Sequence, residues 1–488
     1  MSISSCTKDL ELAPVSQISN SNFWKTENDA KAGLYSMYVR LRLPAASSFF
    51  VWGEGRSDVM GPSYLGATAG FEIYHWNTLN KSNVAATLNG GNVTWSELYT
   101  VLHDANLILK NVPDIEFASE NEKKDILAQA HTMRAFIYFV MVRTWGGVPL
   151  VTEPTESVDA ESIQKPRAST EEIFKFIKDE IDKANALFSS NNFTTGRNLW
   201  SRPALNTLKA DVYLWTGKRL NGGAADFNTA LSALNEAQKG DLTLLSNFHS
   251  VFAYNNKGNK EIVMAVNFNE LEVTVATQRT GTRFMYIHLL PTNIDQSTRD
   301  SLGVTSPNGG YWGPTQEICS QFSKDDQRRN ASFIQVYTFD ANKKYSYYAS
   351  LVYKFRGLEV AGRRGFFDDV VLYRYSDILL MKAEAKNALG QDPSPEINQI
   401  RMRAFGTKFS ANTFVNGSKA SNDEAILQER LLEFIFEGKR WYDLVRFGQV
   451  FNKVPTLKGR ANEEHLLLFP ISEVTLSLEP LVKQNPGW

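Results

Sequence analysis

Glu429-Arg430-Leu-Leu-Glu433-Phe434-Ile-Phe-Glu437-Gly438-Lys439-Arg440-Trp441-Tyr-Asp443-Leu-Val-Arg446 decides how the rest of the chain is read. Glu429, Glu433 and Glu437 recur every four residues. Arg430, Lys439, Arg440, Asp443 and Arg446 set opposite charges three or four residues away, the spacing at which side chains meet on one helix. Leu431, Phe434, Ile435, Trp441, Leu444 and Val445 give that helix an apolar stripe. So many carboxylates invite a catalytic reading, but charges flanking a core stripe brace one helix against its neighbour. The stretch is structural on this reading, and Gly438 marks close helix packing.

Outward from it, helical spacing covers 374–390, 394–405 and 423–451, and earlier 94–112, 121–145, 170–189, 202–219 and 226–239. The first helix opens at Thr26, which can cap free N–H groups, with Asp29 beside the positive end of the dipole. Residues 44–92 lose periodicity and fill with Gly, Ser, Asn and aromatics, and 241–370 mixes short β-like runs such as Glu261-Ile-Val-Met-Ala-Val266 with Gly- and Asn-rich turns. Nothing alternates strand with helix as a doubly wound sheet would. Tyr213-x3-Gly217 followed by Phe227-x2-Ala230-x6-Ala237 reproduces the internal spacings of a tetratricopeptide unit, apart from an insertion of Lys218 to Asp226 in the turn. Ala383, Ala385, Ala388 and Gly390, then Ile397, Ile400 and Ala404, give a weaker second example. The expected fold is mainly α: a helical-repeat scaffold carrying an irregular, loop-rich lobe with short β-strands.

Composition bounds the function. The chain has 488 residues, 43% hydrophobic and 22% charged, enough apolar content for a large core. With 52 Lys+Arg against 53 Asp+Glu the net charge is −1, which gives no electrostatic reason to bind nucleic acid. Its longest apolar run, Ala135 to Val142, is far below the ~20 residues a membrane-spanning helix needs. Only Cys6 and Cys319 are present, which excludes a disulfide framework and a cysteine zinc site. The six His are scattered, and HExxH, GxSxG, Walker A and GxGxxG patterns are absent. Asp325-Asp326 and Asp368-Asp369 read as solvated loops. No cofactor is expected; no EF-hand spacing occurs, and a structural Ca²⁺ under a loop is left open.

Ile3-Ser4-Ser5-Cys6 matches the end of a bacterial lipobox, an aliphatic residue and two small ones before the cysteine that receives lipid. Met1 is then a start inside a longer precursor, and lipid on Cys6 would anchor the protein without a spanning helix. A frayed terminus with an incidental Cys is the alternative on these six residues alone.

Three blocks resemble the SusD/RagB group, surface glycan-binding lipoproteins of Bacteroidetes. The first is Ala128-Gln-Ala-His-Thr-Met-Arg134-Ala-Phe-Ile-Tyr138-Phe running into Trp145-Gly-Gly147-Val-Pro149-Leu-Val-Thr-Glu-Pro154. The second joins Tyr373-Arg374-Tyr-Ser-Asp377 and Ala383-Glu384-Ala to Ile397-Asn398-Gln-Ile-Arg401-Met-Arg403-Ala404 and then to Glu429–Arg446. The third is Leu468-Phe-Pro470-Ile and Gln484-Asn485-Pro486-Gly487-Trp488. Phe23-Trp24-Lys25-Thr26 extends the likeness toward the start, while Leu478-Glu479-Pro480 departs from it, since the family more often shows an Asn-Pro pair there. The resemblance implies four tetratricopeptide-like helix pairs over about 23–43, 94–240 and 373–451, an irregular ligand-binding lobe over about 44–93 and 241–372, and a tail at 452–488. Residues 1–22 would form a lipoprotein N-terminus and extended leader. It also implies a place outside the outer membrane, lipid-anchored and facing the exterior, and a SusC-type TonB-dependent transporter over which the protein sits as a lid.

A sugar offers an apolar C–H face to an aromatic ring and hydroxyl edges to polar side chains, so a glycan site wants exposed rings among polar groups on irregular backbone. Residues 49–80 have that make-up. The candidates are Trp76 flanked by His75 and Asn77, Trp312 beside Tyr311, Arg56 and Asp58 as hydrogen-bonding partners, and Tyr64 and Tyr286 as further rings. No contact residue carries over by motif, so these rest on local composition. The expected function is non-enzymatic capture of oligosaccharide for delivery to the transporter. Two rivals stay open: the same lid role with peptide cargo, and a glycoside hydrolase with an unseen carboxylate pair.

Overall fold

The computed structural model describes residues 23–62, 72–85, 93–156, 159, 163–272, 290–302, 312–360 and 363–488. Helix α1 (Glu27–Ala46) opens as expected: Thr26 accepts from the Asp29 N–H while the Asp29 carboxylate accepts from the Thr26 N–H at 2.7 Å, a reciprocal cap. Its buried face is Ala30, Leu34, Met37 and Leu41. The helix runs through Pro44, and a second, α2 (Ser48–Glu54), follows it, so the irregular stretch expected from residue 44 begins only after Glu54. Ser48, Phe50, Val51, Trp52, Gly53 and Glu54 are all buried, and a helix covered on every side shows no amphipathic period.

Among the described residues, four packed helix pairs form the scaffold. α1 packs on α3 (Ser96–Asn111), α4 (Glu120–Trp145) on α5 (Thr170–Leu187), α6 (Arg202–Arg219) on α7 (Gly223–Ala237), and α8 (Tyr375–Ala388) on α9 (Ser394–Phe405). Each pair touches the next through α3–α4, α5–α6 and α7–α8. Gly217 shows why a small residue recurs where paired helices cross: a Cβ there would stand 2.5 Å from the Phe227 ring. α10 (Lys419–Phe434) and α11 (Arg440–Arg446) close the scaffold against α8 and α2.

The single helix expected over 423–451 is therefore broken. Phe436 and Gly438 both take positive φ, 69° and 72°, between α10 and α11. The cause is tertiary: the buried Glu54 carboxylate accepts the N–H groups of Phe436 at 2.9 Å, Lys439 at 3.2 Å and Arg440 at 3.4 Å. Glu437 leaves the helix, yet converges with Glu433 on Arg374, whose Nη1 lies 2.6 Å from Glu433 and whose Nη2 lies 2.9 Å from Glu437. Arg328 bridges Glu429 at 2.7 Å and Glu433 at 3.1 Å, and Arg403 pairs with Glu433 and Glu261. The carboxylates are structural, but most of their partners come from distant segments rather than from the same helix. Asp326 and Asp368 are likewise buried, not solvated: Asp326 forks onto Arg328, and Asp368 accepts the Gly357 N–H at 3.0 Å. Asp369 pairs with Lys257.

Among the described residues the lobe holds four two-stranded antiparallel ribbons: β1 (Met60–Pro62) with β3 (Trp312–Pro314), β2 (Ile262–Val266) with β8 (Val370–Arg374), β4 (Phe333–Phe339) with β5 (Tyr345–Val352), and β6 (Leu358–Val360) with β7 (Arg363–Gly365). The tail returns to the first half of the chain. Arg167 donates to the carbonyls of Trp145, Gly147 and Lys483, and Asn485 donates to those of Trp145 and Phe469. No described helix is long and apolar enough to cross a membrane.

Candidate functional site

Trp76 stands at the end of the short helix Glu72–His75 with 53% of its surface exposed, high for so large a ring. The turn beneath it is tightly determined. The Trp76 N–H reaches Glu72 O at 2.8 Å, the Thr78 N–H reaches Ile73 O at 3.0 Å, and Asn77 adopts a left-handed φ of 53°, a region where Asn is tolerated better than most residues.

Asn77 is locked by its side chain. Its Nδ2 donates to Thr456 Oγ1 at 2.9 Å and to Arg56 O at 3.3 Å, and its Oδ1 accepts from Arg56 Nε at 2.9 Å. Arg56 spends its remaining donors on Leu466 O and Leu468 O, at 2.6 and 3.0 Å, and lies over the Trp441 ring at 4.3 Å. Burial, with a smaller push from the Arg460 charge, pulls this guanidinium down to about 9. Beside Trp76, His75 Nδ1 meets Met60 O at 2.8 Å, and the two rings lie edge to face at 4.6 Å. Burial lowers the imidazole pKa, so the neutral form carries its proton on Nδ1 toward the carbonyl and leaves Nε2 as an acceptor.

The structure thus brings His75, Trp76, Asn77 and Arg56 together but divides their roles. Arg56 and Asn77, expected at the ligand, are buried, and their hydrogen bonds hold the turn under the indole. Asp58 is also turned inward, its two oxygens 2.9 and 2.8 Å from Arg440 Nε and Nη2. Trp312 is a core residue rather than an exposed platform, edge to face with Phe50 at 6.0 Å and tilted against Tyr74 at 6.2 Å. Cys6, Tyr64, Tyr286 and Tyr311 lie outside the described residues. Glu54, which no motif marks, is the most perturbed carboxyl near the site: burial raises it to about 7 against three backbone N–H groups that favour its anion.

Among the described residues no group of three His, Cys, Asp or Glu could hold a metal ion. The acids that invite a catalytic reading, Glu429, Glu433 and Glu437, each face guanidinium or ammonium groups in the core. What the Trp76 surface offers is one exposed ring on a rigid turn, edged by an imidazole acceptor.

A family profile described as "SusD family" matches residues 305–488, and a second, "Starch-binding associating with outer membrane", matches residues 19–214. SusD-like protein P38 of Formosa agariphila is 27% identical over 99% of this chain and 96% of its own length. Among solved structures, B. fragilis NanU superposes with a TM-score of 0.82 at 33% identity, covering 98% of this chain and all of that one (100%). A SusD superfamily protein from Bacteroides vulgatus superposes with a TM-score of 0.81 at 29% identity, covering 95% and 100%.

Proposed function

This chain belongs to the SusD/RagB family, and on that premise we propose that it is a non-enzymatic glycan-binding lipoprotein of the outer membrane surface. Held by lipid on Cys6 and facing the exterior, it captures oligosaccharide and delivers it to a SusC-type TonB-dependent transporter, over which it acts as a lid. The observation that carries the reading is Trp76. A pyranose can lay its C–H face on the exposed indole while a hydroxyl donates to His75 Nε2, and Asn77 and Arg56 fix the backbone turn that carries the ring. Delivery requires no bond to break, only a site of moderate affinity. The outer-membrane wording of the profile over residues 19–214 and the SusD-like relatives support this reading.

Calorimetry of the full chain carrying Cys6→Ser, against a panel of polysaccharides and their oligosaccharides, tests it. Binding to one glycan class, abolished by Trp76→Ala with the fold intact, is the expected result. Trp312→Ala is the core control and should lose about 3–5 kcal/mol of stability. Binding of peptides in place of any glycan, or release of shorter sugars from a bound glycan, would overturn the reading in favour of peptide cargo or hydrolysis.

A further inference from the structure

The ribbon β4–β5 carries a second set of exposed rings. Its register sets Tyr337 opposite Tyr347 and Phe339 opposite Tyr345. Opposed residues, and residues two apart on one strand, share a face, so all four rings line one side of the ribbon. Tyr337 is 39% exposed and Tyr345 51%, while Tyr347 and Phe339 are half-buried behind them. Each outer ring rests on an inner one with a centroid separation of 5.9 Å, at 76° for Tyr337–Tyr347 and 59° for Phe339–Tyr345. Tyr345 donates its phenol to Asp295 Oδ1 at 2.8 Å, and Tyr347 shares a 2.8 Å bond with Ser350 Oγ, so these rings are fixed in plane. Tyr337 and Tyr345 are diagonal neighbours, about 7–8 Å apart. A register irregularity between Val336 and Tyr337 bends the ribbon where its side chains pass from the small core of Val336, Ala349 and Leu351 to the open face.

The ribbon is joined to the Trp76 turn through buried backbone. His75 is bonded to Met60 O, Met60 lies in β1, and β1 pairs with β3. Gly313 of β3 packs so closely on β5 that a Cβ there would stand 2.5 Å from Ser350 O, the residue whose hydroxyl holds Tyr347. Asp340, Lys343 and Lys344 at the turn and Gln335 on β4 frame the rings with polar groups, and the large exposed apolar residues of the ribbon are the two tyrosines alone. Rings edged by hydrogen-bonding groups can stack on the C–H faces of sugars while polar neighbours meet the hydroxyl edges.

Resting on the glycan-binding reading above, we propose that this ribbon extends the same binding surface, with Tyr337 and Tyr345 stacking on neighbouring sugars of a chain that also occupies Trp76. The cargo is then an extended oligosaccharide, not a mono- or disaccharide.

The test titrates the full chain carrying Cys6→Ser with malto-, laminari-, cello-, xylo- and manno-oligosaccharides of two and of eight units. For the series it binds, the protein should favour eight units over two by at least about tenfold. Tyr337→Ala with Tyr345→Ala should erase that gain and leave the two-unit affinity unchanged, while Tyr345→Phe, which keeps the ring, retains it. Equal binding of both lengths, or a length gain that survives the double variant, overturns the extension and leaves the function standing. Trp76→Ala, expected to weaken both lengths alike, reports on the function itself. Failure of every series at both lengths overturns both.

Discussion

A Cβ placed on Gly53 would stand 1.7 Å from the carbonyl oxygen of Gly438. The contact joins α2 to the break between α10 and α11, and Glu54, the next residue, binds the N–H groups of that same break. Gly53→Ala meets backbone, which no rotamer change relieves, so its cost should exceed the ~1–3 kcal/mol of ordinary overpacking. Urea denaturation followed by tryptophan fluorescence checks this. A midpoint unchanged from the parent would show that the two segments can separate.

Asn77 gives a graded pair of variants. Asn77→Gly keeps the left-handed turn but leaves Arg56 Nε without its acceptor, and Asn77→Ala adds backbone strain of about 1 kcal/mol to that loss. Glycan affinity should fall in both and fall further in Ala, although neither variant removes the ring proposed to meet the sugar. Affinities measured with Trp76 intact decide it, and an effect in Ala alone would assign the role to the backbone and not to the Arg56 bond.

Glu433→Gln removes one anion from among Arg328, Arg374 and Arg403, all buried. Leaving buried guanidinium groups short of a partner costs about 3–5 kcal/mol. Burial alone would raise the carboxyls of Glu433 and Glu437, but the neighbouring cations prevail, hold Glu437 at about 2 and put Glu433 well below the usual range. A carboxyl depressed in the folded state stabilises above its unfolded value near 4.5, and that stability fades as pH falls toward 2. Acid unfolding should therefore be steeper in the parent than in Glu433→Gln over that window.

Glu54 works in the opposite sense. Its folded carboxyl, raised to about 7 from 4.5, favours the protonated form, so its contribution is complete below pH 4.5 and is lost as pH rises through 7. The parent should lose up to about 3 kcal/mol relative to Glu54→Gln between pH 4.5 and pH 8. Parallel stability profiles for the two proteins would show that the three N–H donors and nearby Lys354 keep Glu54 ionised throughout.

The helical scaffold is legible where one face of each helix meets water. Arg202–Arg219 and Ser394–Phe405 begin and end where their periodicity does, and the Gly217–Phe227 spacing marks a true close crossing. Ser48–Glu54 is hidden because neither face is wet, and the break after Phe434 is hidden because Glu54, far away in sequence, imposes it. At the site, local composition finds the neighbourhood but not the direction of each side chain. Arg56 and Asn77 look like sugar ligands until Leu466, Leu468 and Thr456 supply their partners, and Trp312 differs from Trp76 only in which surroundings cover it. The alternation Tyr337-x-Phe339 and Tyr345-x-Tyr347 around Asp340 and Lys343 was the available signal for the ribbon, obscured by the irregular stretch in which it lies.

Arg167 and Asn485 close the corner after Trp145 with residues from the far end of the chain, and the carbonyls that satisfy Arg56 come from the same tail. During synthesis the early helices are therefore made long before the groups that lock them. Until the last residues arrive, the first half keeps unpaid backbone polar groups at that corner and an unsatisfied guanidinium under the site. The corner after Trp145 and the Arg56 guanidinium thus reach their full set of partners only when the tail is present.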